Sequence, residues 1–271
     1  MLYSDRSLSQ KLEHTEGRTS TDFAQTRVRL DPTSTSAWRT IGGAHLIYDG
    51  IESPLTQTFG LGLFTPTTAG QLDEIEEFFQ SRNAPVFHEV SPMTDPSLMT
   101  LLGERGYRPI ELTNVLFRML GKSVDRTPNS GSEVKTRVIE PSEAELWATT
   151  SADAWTTEDA ALADFMLKFG RVSAQCSGAY PFIGELGDRP IATGMLFVFD
   201  EIAFLAGAST IPEGRNRGAQ NALLSARLTL AAEKGCEMAM MGAAPGSQSQ
   251  KNAQRNGFQI AYTRTKWQLI S

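Results

Sequence analysis

Two arginines stand in a short loop just before a predicted helix. The stretch, residues 209–224, reads Ser-Thr-Ile-Pro-Glu-Gly-Arg-Asn-Arg-Gly-Ala-Gln-Asn-Ala-Leu-Leu. Arg215 and Arg217 lie where a helix N-terminus carries a partial positive charge, and no Asp or Glu follows in the first turn. Gly218 allows close approach of the backbone, so the amides and guanidinium groups together suit a multivalent anion such as phosphate. On this stretch alone, a solvated loop whose arginines pair with carboxylates such as Glu213 fits equally well.

The elements around the loop would place it at the end of a strand. Residues 201–208 form an apolar run without strict alternation, which is short enough for a buried strand. After the loop, apolar residues recur at helical spacing as far as Gly235, a residue type that commonly follows the last turn of a helix. The predicted order is therefore strand, loop, helix.

Composition indicates a globular chain with room for two domains. The chain has 271 residues, of which 40% are hydrophobic and 21% are charged, and these are ordinary values for a globular protein. Its net charge of −6 disfavours non-specific binding to nucleic acid or to anionic membranes. No apolar run is long enough to cross a bilayer, and the polar N-terminus lacks the apolar region of a signal peptide. We therefore expect a cytoplasmic protein.

The cysteines and histidines do not form a metal-binding pattern. The presence of only Cys176 and Cys236 excludes a disulfide framework and a cysteine-rich zinc site, and Cys236 is expected to be a small core residue. His14, His45 and His88 are far apart and lack the spacing of metal ligands, so we expect surface positions or hydrogen-bonded core positions for them. No metal is expected.

The first half alternates strand and helix patterns. The predicted strands cover residues 44–48, 55–64, 84–90 and 113–120, and the predicted helices cover residues 3–16, 69–81 and 95–105. Leu8 and Leu12 give the first helix one docking edge, whereas residues 15–36 are rich in Ser, Thr and Asp, which leaves their order open. This alternation predicts an α/β unit in residues 1–120.

A breaker-rich segment, residues 121–133, separates the two halves and is the predicted linker. The second half, residues 134–271, has predicted strands at 134–139, 182–186, 191–199, 201–208, 236–244 and 258–269. Its predicted helices begin at residue 141 and cover 159–173, 219–234 and 247–256. We therefore expect a second domain over residues 134–271.

This order of elements, with the basic loop in its middle, resembles the GNAT superfamily of N-acetyltransferases. The phosphate loop of that family reads Arg/Gln-x-x-Gly-x-Gly/Ala. Its counterparts here are Arg215, Asn216, Arg217, Gly218, Ala219 and Gln220. Gln220 departs from the pattern because it replaces a small residue. Residues 252–258, Asn-Ala-Gln-Arg-Asn-Gly-Phe, resemble the late helix of the family where it runs into a strand that begins with Gly-Phe.

The resemblance implies an acetyl-CoA site in the second half. The backbone amides of residues 215–220 would hold the pyrophosphate, and the backbone of Ser209, Thr210 and Ile211 would pair with the pantetheine arm. Asn252 would contact the arm, although a capping role or a helix-surface role fits an isolated Asn as well.

The first half resembles a weaker copy of the same architecture. Residues 103–107, Gly-Glu-Arg-Gly-Tyr, resemble the junction of helix and Gly-aromatic strand, and residues 65–70, Thr-Pro-Thr-Thr-Ala-Gly, stand in the place of the phosphate loop without its arginines. We interpret this half as a degenerate GNAT-like domain that helps to shape the substrate cleft.

The usual acid and base of the family are absent. Many relatives have a carboxylate five residues before the loop proline, which is Gly207 here, and a tyrosine four residues before the Gly of Gly-Phe, which is Ala253 here. Substitute bases would come from Glu185, Asp200, Glu201, Asp153 and Glu158. Each of these also fits a solvated carboxylate at a turn or strand end, so no catalytic residue is assigned.

Aromatic side chains are candidates for the acceptor site. Tyr262 would face the cleft or pack on its strand, and four further aromatic residues would line a pocket or a helix core: Trp147, Trp155, Phe165 and Phe169. Helical spacing favours core packing for Phe165 and Phe169.

Together these patterns predict a mixed α/β fold of two GNAT-like domains, each a twisted, mostly antiparallel sheet flanked by helices. The predicted function is transfer of an acetyl group from acetyl-CoA to a primary amine of a small molecule or amino acid. A non-catalytic acyl-CoA-binding module is the alternative, and a purely structural interaction protein is a third hypothesis. The acceptor and the oligomeric state stay open.

Overall fold

A computed structural model of the chain describes residues 4–121, 133–156 and 160–270. Its helices are α1 (Arg6–Leu30), α2 (Ala69–Gln80), α3 (Ser97–Glu104), α4 (Ala144–Asp153), α5 (Ala160–Ser173), α6 (Ala219–Glu233) and α7 (Gln248–Arg255). Its strands are β1 (Ala37–Ile41), β2 (Ala44–Tyr48), β3 (Gln57–Phe59), β4 (Phe87–Val90), β5 (Tyr107–Met119), β6 (Val134–Val138), β7 (Ala179–Leu186), β8 (Arg189–Phe199), β9 (Ile202–Thr210), β10 (Met238–Ala243) and β11 (Gln259–Leu269). Short 3-10 turns precede α4 and α6.

The chain divides into two compact units. The first unit contains Met1–Arg118 together with Met240–Ser271, and the second contains Met119–Ala239. This division differs from the expected one, because residues 240–271, assigned above to the second domain, pack with the first half. The predicted linker, residues 121–133, lies outside the described residues except at its two ends.

The first unit is built from both ends of the chain. Its strands follow the order β1-β2-β3-β4-β11-β5, in which β3 and β4 are parallel. The last strand, β11, is antiparallel to both neighbours, so that Thr265 pairs with Val90 on β4 and with Leu112 on β5. The C-terminal strand is therefore an interior strand of this sheet, which explains why it groups with the first half.

Both faces of β2 are buried, because successive side chains of a strand point to opposite sides. Leu46 belongs to an apolar cluster with residues of α2 and α3, including Leu72, Ile75 and Leu98. Ile47 packs on the other side, in a cluster that contains Ala24 of α1. The sheet of the first unit thus lies between α1 and the pair α2 and α3.

Helix α1 is longer than the sequence pattern predicts, since it continues through the Ser- and Thr-rich segment to Leu30. The hydroxyl groups of Thr15, Thr19 and Thr21 donate to backbone carbonyls four residues earlier, at 2.8–2.9 Å. Such bonds let short polar side chains stay inside a helix without competing for its backbone donors. Thr15 and Thr19 are also buried, so tertiary packing outweighs weak helix propensity here.

The bounds of two strands also differ from those that the sequence predicts. The hairpin strand β1 had no predicted counterpart, and the predicted strand at residues 55–64 is ordered as a strand only over Gln57–Phe59. Gly60 and Gly62 follow it with φ angles of 77° and 68°, values that end extended structure and favour glycine.

The second unit is an antiparallel sheet in the order β6-β7-β8-β9, with helices on both faces. A Cβ atom at Gly194 of β8 would meet Arg227 of α6, while the next residue, Met195, points to the opposite face. On that face Trp147 of α4 is buried, and its Nε1 donates to the carbonyl of Phe182 at 2.9 Å. No helix within the described part of the chain is long and apolar enough to span a membrane.

Candidate functional site

Helix α6 begins with an uncapped N-terminus. Gly218 is its N-cap residue and has a φ of 78°, a left-handed conformation that favours glycine. No side chain of the described residues bonds the first amides, and no acidic residue lies in the first turn. Unbonded helix amides attract anions because the helix dipole adds to their own polarity.

The two loop arginines differ in their surroundings. Arg215 donates from Nη2 to the carbonyl of Ala154 at 3.2 Å, which ties the loop to the end of α4. Arg217 is exposed and makes no ion pair with any carboxylate in the described ranges. Glu213, which the alternative interpretation paired with these arginines, lies 3.8 Å from Arg189. The alternative of a loop neutralised by Glu213 is therefore not what the structure shows.

The end of β9 presents one residue to its second edge. The amide of Ile211 donates to the carbonyl of Ile191 at 2.9 Å, and Ser209 and Thr210 pair with Thr193 and Ala192 of β8. In an antiparallel ladder the bonding direction alternates, so the N–H and C=O groups of Thr210 point away from β8. Of Ser209, Thr210 and Ile211, the residue whose amide is directed to the other edge is therefore Thr210.

Gln220 joins the helix start to this strand. Its Nε2 donates to the carbonyl of Ser209 at 2.9 Å and to Oγ1 of Thr210 at 2.7 Å. A small residue at this position could make neither bond. The departure from the family pattern thus adds a link between the first turn of α6 and the end of β9, and this link occupies none of the helix amides.

A β-bulge lies in β9 just before the site. Met195 pairs with Ala206, whereas Thr193 pairs with Ser209, so Gly207 and Ala208 together oppose Gly194. Gly207 has a φ of 56°, as expected for the first residue of a bulge of this kind.

The same glycine occupies the usual base position of the resembled family, and its positive φ would strain any other side chain there. A Cβ atom at Gly207 would lie 3.4 Å from the Cβ of Met195 and 3.7 Å from Cη2 of Trp147. These are ordinary van der Waals distances, so the backbone conformation, and not crowding by the Trp147 ring, disfavours a side chain at this position.

Most of the carboxylates named above as candidate bases lie away from this site or form an ion pair with an arginine. Glu185 forms an ion pair with Arg137 at 2.9 Å. Asp200 and Glu201 form the turn before β9, at the opposite end of the strand from Thr210. Asp153 is exposed at the end of α4, next to the carbonyl that accepts from the loop. The fifth candidate, Glu158, lies outside the described residues.

The aromatic residues predicted to line an acceptor pocket or a helix core differ in their surroundings. Trp147 is buried in the core, while Phe165 and Phe169 are only half-buried on α5, with ring centres 5.7 Å apart. Core packing of those two phenylalanines is therefore incomplete. Trp155 follows the carbonyl that accepts from Arg215, and its buried Nε1 has no hydrogen-bond partner in the described part of the chain. Its indole group is a donor beside the loop that sequence patterns alone did not distinguish from a core tryptophan.

Asn252 and Tyr262 belong to the first unit. Oδ1 of Asn252 accepts from Gln248 Nε2 at 2.8 Å, which is a contact along the surface of α7. Tyr262 is buried, and its hydroxyl donates to Glu13 at 2.9 Å. Ala253, at the usual position of the acid, is buried as well.

In the first unit, the helix start and the strand end that correspond in position to the candidate site form hydrogen bonds within the protein. Helix α2 begins with a capping box, in which Thr68 accepts from the amide of Gln71 and the side chain of Gln71 accepts from the amide of Thr68. The carbonyl of Leu63, in the turn after β3, accepts from Arg6 and Gln10 of α1, both at 3.0 Å. These groups are therefore bonded within the protein, and the degenerate character of this half stays a prediction.

The histidines and cysteines offer no metal centre. Nε2 of His45 lies 3.2 Å from Nδ1 of His14, although the two are distant in sequence. His88 is fully buried and neither of its ring nitrogens has a partner in the described ranges, so the expectation of a hydrogen-bonded core position is wrong for it. Burial lowers the pKa of His88 to about 3, which keeps the ring neutral. Cys176 and Cys236 are buried thiols, and no group of three potential ligands occurs among the described residues.

The known proteins that match this chain match it in structure. No protein-family model and no curated protein matched the sequence. Solved structures did match. A GCN5-related N-acetyltransferase from Kribbella flavida superposes with a TM-score of 0.65 at 17% identity, over 94% of this chain and 95% of that one. A tandem GNAT protein from the clavulanic acid biosynthesis pathway superposes with a TM-score of 0.60 at 15% identity, over 100% and 98% of the two chains.

A third match is a putative GNAT acetyltransferase from Novosphingobium aromaticivorans, with a TM-score of 0.53 at 14% identity over 92% of this chain and 97% of that one. At such identities the likeness establishes the fold. The chain has the tandem GNAT fold, a mixed α/β architecture with mostly antiparallel sheets flanked by helices, as the sequence patterns predicted.

Proposed function

We propose that this chain is an acetyl-CoA-dependent N-acetyltransferase whose second unit binds acetyl-CoA at the start of α6 and the end of β9. The observation that carries the proposal is the contrast between two helix starts. Helix α6 begins at an uncapped Gly218 after two arginines, whereas α2 of the first unit is capped by its own Thr68 and Gln71. The cap of α2 occupies the amides of Thr68 and Gln71, whereas no side chain of the described residues bonds an amide at the start of α6, where such groups suit a phosphate ligand.

The residues around the loop suit the parts of acetyl-CoA. The amides of residues 215–220 would bind the pyrophosphate, with Arg217 as an exposed charge partner. The outward edge of Thr210 would bond the amides of the pantetheine arm. Arg215 holds the loop through Ala154 and would add its charge from there.

The proposed reaction is direct attack of a neutral primary amine on the thioester carbon. A C–N bond forms, the C–S bond breaks, CoA leaves as a thiolate, and the amine releases a proton to water or a base. Positioning of amine and thioester supplies much of the rate in such a step, and backbone amides would polarise the carbonyl. Asp153 is the described candidate base that lies beside the loop, and we assign it no role in the reaction.

The acceptor is proposed to be a small molecule or an amino acid. Partly exposed aromatic side chains lie on α5 and in the turn after α4, namely Phe165, Phe169 and Trp155. Such groups suit the apolar part of an amine substrate.

The alternative is an acyl-CoA-binding module without turnover. It is favoured by the bulge at Gly207, where the Trp147 ring stands beside the position from which a base would extend.

A thiol-release assay separates the two functions. The protein would be incubated with acetyl-CoA and a broad panel of primary amines and amino acids, and free CoA thiol would be measured together with acetyl-CoA affinity by calorimetry. Amine-dependent thiol release supports the transferase. Tight binding with no amine-dependent release across the panel supports the binding module, and absence of acetyl-CoA binding contradicts both.

A further inference from the structure

Arg227 is a buried cation whose partners are backbone carbonyls. It lies on α6 with 4% of its surface exposed. Its Nε donates to the carbonyl of Leu223 at 3.1 Å, and its Nη1 donates to the carbonyls of Met195 at 3.1 Å and Ala206 at 3.3 Å. It forms no ion pair with a carboxylate of the described ranges. Burial lowers the pKa of Arg227 to about 10, which still leaves the guanidinium charged at neutral pH.

Burying a charge without a counter-ion is costly, so a buried arginine of this kind needs a structural reason. A neutral methionine would fill similar space on an apolar helix face. The reason is found in what Arg227 contacts. Met195 and Ala206 are the register pair that immediately precedes the bulge in β9.

The guanidinium group also determines which residue fits opposite the bulge. A Cβ atom at Gly194 would lie 2.9 Å from Cζ and 3.1 Å from Nε of Arg227. Gly194 is the residue that faces Gly207 and Ala208 across the ladder. Arg227 therefore lies directly over the bulge on the α6 side of the sheet.

The bulge controls the edge to which later residues of β9 are directed. Because backbone bonding alternates along a strand, one extra residue reverses the direction of every following N–H and C=O group. With the bulge, Ile211 bonds to β8 and Thr210 is directed to the other edge. Without it, the amide of Thr210 would turn toward β8.

We propose that Arg227 is a positioning residue for acetyl transfer, because it fixes the β9 bulge and thereby directs the backbone of Thr210 toward the pantetheine arm. The inference rests on the proposed function of the site. Arg227 touches neither cofactor nor acceptor in this account, and it acts through Met195 and Ala206. Its guanidinium group donates to the carbonyls of Met195 and Ala206, next to the point where the bulge interrupts the ladder.

The test compares variants that lose stability with variants that lose the bulge. Arg227→Met removes the donors, Arg227→Lys keeps a charge with fewer bonding directions, and Gly194→Ala displaces the guanidinium group from the other side. Leu228→Ala, at the next residue of the same helix and with 2% exposure, is the control for loss of core packing. Measurements are kcat, KM for acetyl-CoA, the Kd for acetyl-CoA, and urea unfolding of each variant.

For folded protein we expect Arg227→Met and Gly194→Ala to lower kcat/KM for acetyl-CoA at least about tenfold, since small misplacements of bound groups have large effects on rate. Arg227→Lys should recover part of this loss, and Leu228→Ala should lose stability with kcat/KM within about twofold of the parent chain. Equal loss in Leu228→Ala, or unchanged kcat/KM in folded Arg227→Met and Gly194→Ala, would overturn the inference.

The failure of the proposed function would be distinguishable. If the parent chain releases no thiol with any amine but binds acetyl-CoA, the transferase assignment fails, and the inference is then judged by Kd alone. A weaker Kd in Arg227→Met and Gly194→Ala, with an unchanged Kd in Leu228→Ala, supports it. An unchanged Kd in all three contradicts it. Should Arg227→Met not fold, Gly194→Ala and Arg227→Lys carry the same comparison.

Discussion

Arg215 and Arg217 carry the same charge two residues apart, yet the fold gives them different surroundings. Arg215 uses Nη2 to hold the carbonyl of Ala154, so part of its bonding capacity serves the loop itself. Arg217 is exposed beside the uncapped start of α6 and forms no ion pair within the described residues. A bound phosphate would therefore gain most from Arg217.

Reversal of the charge at position 217 should weaken acetyl-CoA binding. We expect Arg217→Glu to raise the Kd by about 10- to 100-fold, because a charge-assisted bond is replaced by repulsion next to a polyanion. Calorimetric titration with acetyl-CoA measures the effect. Lys135→Glu, on the exposed surface of β6, makes the same change in net charge elsewhere in the second unit. Equal weakening in both variants would show that total charge, and not the loop, determines affinity.

Sequence patterns identified the loop and its uncapped helix, because both depend on neighbouring residues. They did not show that Gln220 bonds Ser209 and Thr210, or that Trp147 stands beside Gly207. These contacts join elements that are far apart along the chain. The sequence shows that position 207 has no carboxylate, whereas the bulge that gives Gly207 its positive φ depends on the fold.

Helices α2 and α6 show how the same type of element serves opposite purposes. The capping box at the start of α2 bonds the amides of Thr68 and Gln71. An Ala substitution at an N-cap threonine usually costs about 1 kcal/mol of stability. In α6 no side chain of the described residues makes such a bond, and the helix lacks the stabilisation that a cap would give.

This contrast predicts separate effects of capping and binding. Thr68→Ala should lower the free energy of unfolding by about 1 kcal/mol and leave the Kd for acetyl-CoA unchanged. Urea unfolding and calorimetric titration test both parts on the same preparation. A marked change in Kd would indicate that the first unit also binds the cofactor, which would contradict its interpretation as degenerate.

Helix α1 illustrates why element boundaries were harder to predict than element types. Residues 15–30 lack a strong apolar period, and Ser and Thr favour turns in isolation. In the fold, Thr15 and Thr19 are buried and their hydroxyls bond the preceding turn. Helix α6, by contrast, was predicted almost to its last residue, because apolar spacing and Gly235 mark it locally.

Residues 240–271 complete the first unit, although they are the last part of the chain. Strand β11 brings Arg264 against Glu13 and Glu16 of α1 and Glu89 of β4, at distances of 2.7–3.3 Å. Arg264, Glu13 and Glu89 are almost fully buried. Sequence periodicity cannot predict pairing between residues some 250 positions apart, which is why the domain division differed from expectation.

Removal of Arg264 should destabilise the first unit strongly. Arg264→Met leaves buried carboxylates without their partner, so we expect a loss of about 3–5 kcal/mol in unfolding free energy. Arg39→Met removes an arginine from an ion pair with Glu74 whose side chains are each 54% exposed, and it should cost less than about 1 kcal/mol. Urea unfolding of the two variants measures the difference. Similar losses would show that burial of the network contributes little.

The same cluster makes stability depend on pH, in a direction that its carboxylates determine. Burial raises the pKa of Glu13 from 4.5 to about 7, against the opposing effect of Arg264. The folded state therefore holds this proton more tightly than the unfolded chain does. The stabilisation is fully present below pH 4.5 and is lost as the pH rises through about 7, where the buried carboxylate ionises.

Glu13→Gln removes this titration while it keeps an oxygen that can accept from the Tyr262 hydroxyl. The variant should therefore gain stability relative to the parent chain as the pH rises from 4.5 to 8, by about 1–3 kcal/mol in unfolding free energy. Urea unfolding across this range gives the difference at each pH. Burial also raises the pKa of Glu89. Glu89 is present in both proteins, so its contribution to the difference in unfolding free energy largely cancels. Glu74→Gln, at an exposed ion pair, serves as the control and should give a nearly constant difference. A pH-independent difference for Glu13→Gln would mean that Glu13 titrates alike in the folded and unfolded chains, and that Arg264 fully compensates its burial.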